Sequence, residues 1–250
     1  MLMLLRNVRK ERLHRIFKVI FVINIMHTYL TDNLMKVRAT LLPGVKLVAV
    51  SKYHPVEALQ EAYDAGQRIF GESHVQELVT KHEVLPKDIQ WHFIGHLQTN
   101  KVKYIAPFVS LIHSVDSLKL LREIEKQGSK VGRTIDVLLQ LHVAQEETKF
   151  GFAPEEVTSL LEEGECLSMP HVRIVGLMAM ASNTDNEAQV ESEFASVKRL
   201  FDSLKPRFFA DKAEFAELSM GMSHDYPIAQ RHGATLVRVG SMIFGERVYR

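Results

Sequence analysis

Eight short, nearly continuous apolar runs, separated by longer amphipathic stretches, constrain this chain more than any other feature. The runs are Lys46–Val50, Arg68–Gly71, Trp91–Ile94, Val109–Ser114, Ile135–Val143, Val172–Met180, Glu217–Met220 and Leu236–Phe244. Runs apolar at nearly every position, not at every second one, belong to strands buried on both faces, as parallel strands are. The stretches between them carry helix signals. Pro55 to Ala65 starts on Pro and stops at Gly66, the usual asymmetry of helix ends. Ser73 to Leu85 stops at Pro86, Leu97 to Ile105 at Pro107, Pro154 to Glu163 at Gly164, and Asn186 to Leu204 at Pro206. Asp116 or Ser117 can cap a helix ending near Gly128, and Ser223 or Asp225 one ending near Gly233. Leu30 to Leu41 supplies a helix ahead of the first strand.

Eight strands, each but the last followed by a helix, predict a single (β/α)8 barrel of the TIM type. A doubly wound open sheet is the alternative. The chain's 250 residues suit one barrel, and no Pro/Gly/Ser-rich linker divides it. The expected domain is residues 26–250. Residues 1–25 read as an upstream extension, with Met26 an alternative start. The basic stretch Met1 to Lys18 and the apolar stretch Ile16 to Met26 look superficially like a signal peptide. Lys18 and Asn24 interrupt the apolar run, no small-residue cleavage site follows, and the run is far below the roughly 20 residues of a membrane span.

The formal net charge of +1 gives no basic field for nucleic acid. The single cysteine, Cys166, excludes an internal disulfide and suits a reducing cytosol. Its Glu-Gly-Glu-Cys-Leu setting disfavours a thiolate, so it reads as a bystander. His92 and His96 lack the Cys or Asp that would complete a metal site. Met178, Met180, Met220 and Met222 read as packing at the barrel mouth. Glu146-Glu147-Thr-Lys149 reads as a solvated loop.

Barrels carry their sites at the C-terminal ends of the strands. Lys52 emerges there directly behind Leu-Val-Ala-Val. Desolvation at such a place lowers a lysine pKa and frees the amine to attack a carbonyl, although an ordinary loop lysine fits the position equally well. The loops after strands seven and eight often build a phosphate site. Here they are Ser219-Met-Gly-Met-Ser223, ahead of a helix, and Gly240-Ser241. Backbone N–H groups and hydroxyls there can cradle an anion, and a plain helix cap is the competing reading. A lysine on strand one facing a phosphate site at strands seven and eight suits a phosphorylated aldehyde cofactor.

Eight stretches together resemble the pyridoxal phosphate homeostasis protein family. They are Ala49-Val-Ser-Lys-Tyr-His-Pro55, Phe70-Gly-Glu-Ser-His-Val-Gln-Glu77, Trp91-His-Phe-Ile-Gly-His-Leu-Gln-Thr-Asn-Lys101, Ser114-Val-Asp-Ser117, Thr148-Lys-Phe-Gly151, Gly176-Leu-Met-Ala-Met180, Leu218-Ser-Met-Gly-Met-Ser-His-Asp-Tyr226 and Val237-Arg-Val-Gly-Ser-Met-Ile-Phe-Gly-Glu-Arg247. The resemblance implies a barrel like the N-terminal domain of alanine racemase. It implies pyridoxal 5′-phosphate (PLP) in aldimine linkage to Lys52, with Ser219, Met220, Gly240 and Ser241 at the phosphate, beside Ser223. Arg238 is implied to face the pyridine nitrogen. An arginine cannot take up that nitrogen's proton role, so the ring stays a weak electron sink. Ser73 stands where the family usually has Asn near the ring, and Tyr53-His54 replaces the commoner Thr-Lys. The implied function is holding and delivering PLP inside the cell, as a cytoplasmic monomer without robust catalysis, to partners that include apo PLP-dependent enzymes. The rival is an alanine-racemase-like enzyme. Two-base racemisation needs a second acid/base on the opposite face. In alanine racemase a further domain supplies it, and this chain is expected to lack that domain because it stops at Arg250, right after strand eight.

Overall fold

The computed structural model describes residues 29–143 and 150–246. The expected extension at residues 1–25, Lys149 and Arg247 lie outside them. Eight parallel strands close into a barrel in sequence order. They are β1 (Lys46–Val50), β2 (Ile69–Glu72), β3 (Gln90–Phe93), β4 (Leu111–Val115), β5 (Ile135–Leu141), β6 (Val172–Ala179), β7 (Glu217–Ser219) and β8 (Leu236–Val239). Pairing of β1 with β8, Val48 opposite Arg238, closes the ring. Helical residues 29–39 (α1) precede β1. The outer helices are α2 (Val56–Asp64), α3 (Val75–Val84), α4 (Val102–Ile105), α5 (Leu118–Val131), α6 (Pro154–Glu163), α7 (Glu187–Phe208), α8 (Tyr226–Arg231) and α9 (Ser241–Phe244).

Strand alternation divides the apolar residues into two cores. Leu47, Ala49, Phe70, Trp91, Phe93, Ile112, Leu139, Leu177, Leu218 and Val237 face the helices. Full burial of each large side chain there contributes about 1.5–3 kcal/mol. Val48, Leu111, Leu138, Val175, Met178 and Leu236 fill the interior. The interior also holds buried His92, His113, Gln140, Ser219 and Arg238. Barrel interiors are ordinarily built of branched apolar residues, so this polar set marks where the molecule departs from simple packing.

Several element ends differ from the sequence expectation. The last apolar run splits: β8 stops at Val239 and Ser241–Phe244 is a helical turn. The Leu97–Ile105 helix is a 3-10 turn, Thr99–Lys101, followed by the single turn of α4. The α7 helix continues through Pro206 to Phe208, because a proline in the last turn forfeits only one N–H bond. Helix α5 runs past Gly128 and ends at Gly132, whose φ of 65° forms a left-handed cap. Gly128 is instead a close-packing residue, since a Cβ there meets Arg133 O and His171 Cβ, each at 2.9 Å.

Candidate functional site

Lys52 lies two residues beyond β1, in the turn that His54 N–H closes on Ser51 O at 3.1 Å. Its turn is braced from beneath. The buried Ser51 hydroxyl donates to Glu72 Oε1 at 2.6 Å. Lys81 Nζ, on α3, donates to Ser51 O at 2.8 Å, Glu72 Oε1 at 2.8 Å and Glu77 Oε1 at 2.7 Å. Tyr53, with φ of 68°, occupies the left-handed region that side chains rarely adopt. Its N–H donates to Glu77 Oε1 at 2.7 Å. One buried ammonium therefore ties β1, β2 and α3 together under Lys52. Burial pushes the Glu72 carboxyl up to about 7, against the pull of Lys81, and Glu72 Oε2 is buried without a hydrogen-bond partner.

Arg238, on β8 opposite Val48 of β1, lies inside the barrel. Nη1 donates to Ser219 O at 2.9 Å and to Ser219 Oγ at 2.6 Å, and Nη2 to Ala179 O at 3.0 Å. Its Nε–H and second Nη2–H take no acceptor among the described residues. Burial pushes the guanidinium down to about 10, with Asp225 opposing the shift. It is therefore still a cation at neutral pH, held by neutral acceptors.

At the rim, Ser223 Oγ and Ser241 Oγ are 3.1 Å apart, and Gly240 N–H donates to Ser223 Oγ at 3.4 Å. The N–H groups of Ser223, His224, Ser241 and Met242 take no acceptor among the described residues. Two hydroxyls and four backbone N–H groups without acceptors thus belong to neighbouring turns at this rim. Gly240 lets this turn pack closely on β1, since a Cβ there would meet Val50 O at 3.0 Å. His54 stacks on Phe244, so the Lys52 turn and the Ser241 turn touch directly.

Ser219 and Met220, expected at the phosphate, have partners within the protein. Alternation along β7 turns Ser219 into the barrel, where its hydroxyl meets Arg238 and His113 Nδ1 at 2.9 Å. Met220 is buried among the helix-facing residues, and its N–H donates to Leu236 O at 3.1 Å. Ser73 is half-buried on the β2 side of the mouth, its backbone so close to Gly95 that a Cβ there would meet Ser73 O at 2.4 Å. His92 and His96 do not share a site. His92 Nδ1 is 2.9 Å from His113 Nε2 inside the barrel, and His96 pairs with Asp116 at 3.1 Å on the rim. Asp225 stands at the N-cap position of α8 without a side-chain cap bond, and accepts instead from Met222 N–H at 2.5 Å. Cys166 is buried and its thiol is pushed up to about 11 by that burial. The residues the sequence reading missed are Lys81, Glu77 and His113. Lys81 and Glu77 are four apart on one helix face, which was the available signal; His113, inside an apolar strand, had none.

The family model described as "Alanine racemase, N-terminal domain" matches residues 25–248. The pyridoxal phosphate homeostasis protein of Aquifex aeolicus is 42% identical over 205 residues, which are 82% of this chain and 88% of that protein. The protein of that name in Schizosaccharomyces pombe is 40% identical over 207 residues, 82% of this chain and 85% of its own. PipY of Synechococcus elongatus PCC7942, solved with PLP bound, superposes with a TM-score of 0.78 at 36% identity, covering 86% of this chain and 100% of PipY. Alanine racemase of Clostridium difficile 630 shares the fold, with a TM-score of 0.70 at 16% identity over 88% of this chain and 56% of the racemase. Matched across nearly all its described length, the chain belongs to the pyridoxal phosphate homeostasis protein family, built on the alanine racemase N-terminal barrel.

Proposed function

We propose that this chain holds PLP covalently on Lys52 and serves the intracellular homeostasis of that cofactor. The observation that carries the reading is the convergence of three features on adjoining strand ends: a lysine on a braced turn, a buried arginine with donors to spare, and a rim of hydroxyl and N–H donors. The cradle's chemistry fits a phosphate: the Ser223 and Ser241 hydroxyls lie 3.1 Å apart, beside backbone N–H groups that take no acceptor among the described residues. Ser223, Gly240 and Ser241 hold the phosphate. Arg238 faces the ring nitrogen and Ser73 lies at the ring's far edge. When bound, the cofactor supplies an electrophilic aldehyde for the lysine and an electron-withdrawing ring.

Arg238 disfavours broad carbanion chemistry and so supports a carrier role over turnover. Its charge persists at neutral pH, so it leaves the ring nitrogen unprotonated and the ring a poor electron sink. The named relatives are homeostasis proteins, and the match spans the whole of PipY. Apo PLP-dependent enzymes are the proposed recipients. We take the protein to act as a monomer in the cytoplasm, away from nucleic acid and membranes. Among the described residues no helix is long and apolar enough to cross a membrane. Residues 26–250 are the proposed domain, in line with the family match from residue 25. Deleting residues 1–25 is expected to leave PLP uptake intact.

Titration of the purified protein with PLP tests the reading. An absorbance band near about 420 nm is expected on addition of the aldehyde, without racemisation of L-amino acids. Sustained racemase turnover in the ordinary enzymic range of ~1–10³ s⁻¹ would overturn the carrier reading.

A further inference from the structure

Behind Arg238 the barrel interior holds a continuous line of hydrogen bonds. Arg238 Nη1 meets Ser219 Oγ at 2.6 Å, Ser219 Oγ meets His113 Nδ1 at 2.9 Å, and His113 Nε2 meets His92 Nδ1 at 2.9 Å. All four residues are buried, Ser219 and His113 completely. His92 lines a cavity of about 350 Å³ at the opposite, N-terminal mouth, among Lys46, Gln90, Asp136, Arg173 and Glu217. The line therefore runs from the proposed cofactor ring down to the far end of the barrel.

Its direction follows from one fixed donor. A guanidinium only donates, so Ser219 Oγ accepts from Arg238. The serine proton then has His113 Nδ1 as its acceptor. That leaves the His113 proton on Nε2, where it donates to His92 Nδ1, and puts the His92 proton on Nε2, facing the cavity. The reverse order would send protons from His92 to His113 and from His113 to Ser219. The serine hydroxyl would then accept twice and keep its own proton buried with no acceptor, a costly arrangement. Burial also holds both imidazoles neutral, His92 pushed down to about 3 with Lys46 adding to the effect, and His113 well below its ordinary value with His92 and Arg238 adding.

We infer that Ser219, His113 and His92 are positioning residues, a one-way hydrogen-bond chain that aims the remaining donors of Arg238 at the bound cofactor. This rests on the reading that Arg238 faces the PLP ring. Ser219 thereby acts on the ring side of the site through Arg238, not on the phosphate. The chain gives the buried cation a fixed orientation without a carboxylate partner, which would draw the guanidinium away from the ring.

Two measurements on the full-length protein separate the inference from the cofactor reading. Long-range ¹H–¹⁵N spectra of the histidine-labelled protein without PLP are expected to show His92 and His113 as Nε2–H tautomers, unchanged between about pH 6 and 8. A proton on His113 Nδ1, or titration of either ring in that range, overturns the chain. In the PLP-loaded protein, Ser219→Ala and His113→Leu are expected to shift the bound-cofactor absorbance and speed PLP release roughly tenfold, the scale of a hydrogen bond to a charged group. His113→Gln, which keeps one acceptor and one donor, is expected to restore most of both. A folded Ser219→Ala variant with wild-type spectrum and release overturns the positioning role. Should the wild type take up no PLP, the cofactor reading fails while the tautomers still decide the chain.

Discussion

The imidazole of His54 stacks on the ring of Phe244, with centroids 4.9 Å apart and planes 26° from parallel. This contact joins the turn that carries Lys52 to the turn that carries Ser241, closing β1 against β8 at the mouth. Aromatic pairs of this kind contribute about 0.5–1.5 kcal/mol beyond the area they bury. His54→Ala is expected to leave the covalent adduct intact and to speed PLP release several-fold, read by transfer to an apo-enzyme.

Ser223→Ala and Ser241→Ala each remove one hydroxyl from the cradle. Each is expected to weaken PLP binding by about 1.5–3 kcal/mol, the scale of a hydrogen bond to a charged group. Pyridoxal, which lacks the phosphate, is expected to bind wild type and variants alike in parallel titrations. Equal losses for both compounds would remove these serines from the phosphate.

Lys81 is the cation of a buried cluster with Glu72 and Glu77. Lys81→Met leaves Glu72 without its counter-charge, and breaking one side of a buried pair typically costs about 3–5 kcal/mol. Denaturant unfolding is expected to show a loss of that order. Because the cluster holds the Ser51–Tyr53 turn, adduct formation is expected to slow as well.

The Glu72 carboxyl is raised in the fold, to about 7, chiefly by burial. A raised carboxyl favours the folded state most below its unfolded pKa, and that contribution fades as pH rises toward 7. The groups facing it are Lys81, Glu77 and the Ser51 hydroxyl. Wild-type stability is expected to decline between about pH 5 and 8 through this group, and Glu72→Gln to flatten that part of the profile. An unchanged slope in the variant would assign the dependence to other groups.

The barrel was legible because its signals are repetitive: a buried strand, then an amphipathic helix with a Pro or Gly at its ends. Boundaries were legible only where one chemistry decides them, as at Gly164, which ends α6 in a left-handed cap. Met242-Ile-Phe244 reads as strand in the sequence because an apolar run that short has no period to distinguish it from a helical turn. Lys52, Ser223, Gly240 and Ser241 can be proposed from the sequence because strand ends in a barrel are where sites form. The inward turn of Ser219 and the burial of Met220 are not legible in the sequence, because a neighbouring position in a loop motif says nothing of which way β7 turns each side chain. His113 was invisible: its role depends on Ser219 and His92, 106 and 21 residues away in sequence.

The central claim is that Lys52 is the covalent attachment point. Borohydride reduction of the PLP-loaded protein, followed by proteolysis and mass spectrometry, is expected to place the pyridoxyl group on Lys52, and Lys52→Ala is expected to carry none. An undiminished adduct in Lys52→Ala, mapped to Lys101 or Lys149, would contradict the account.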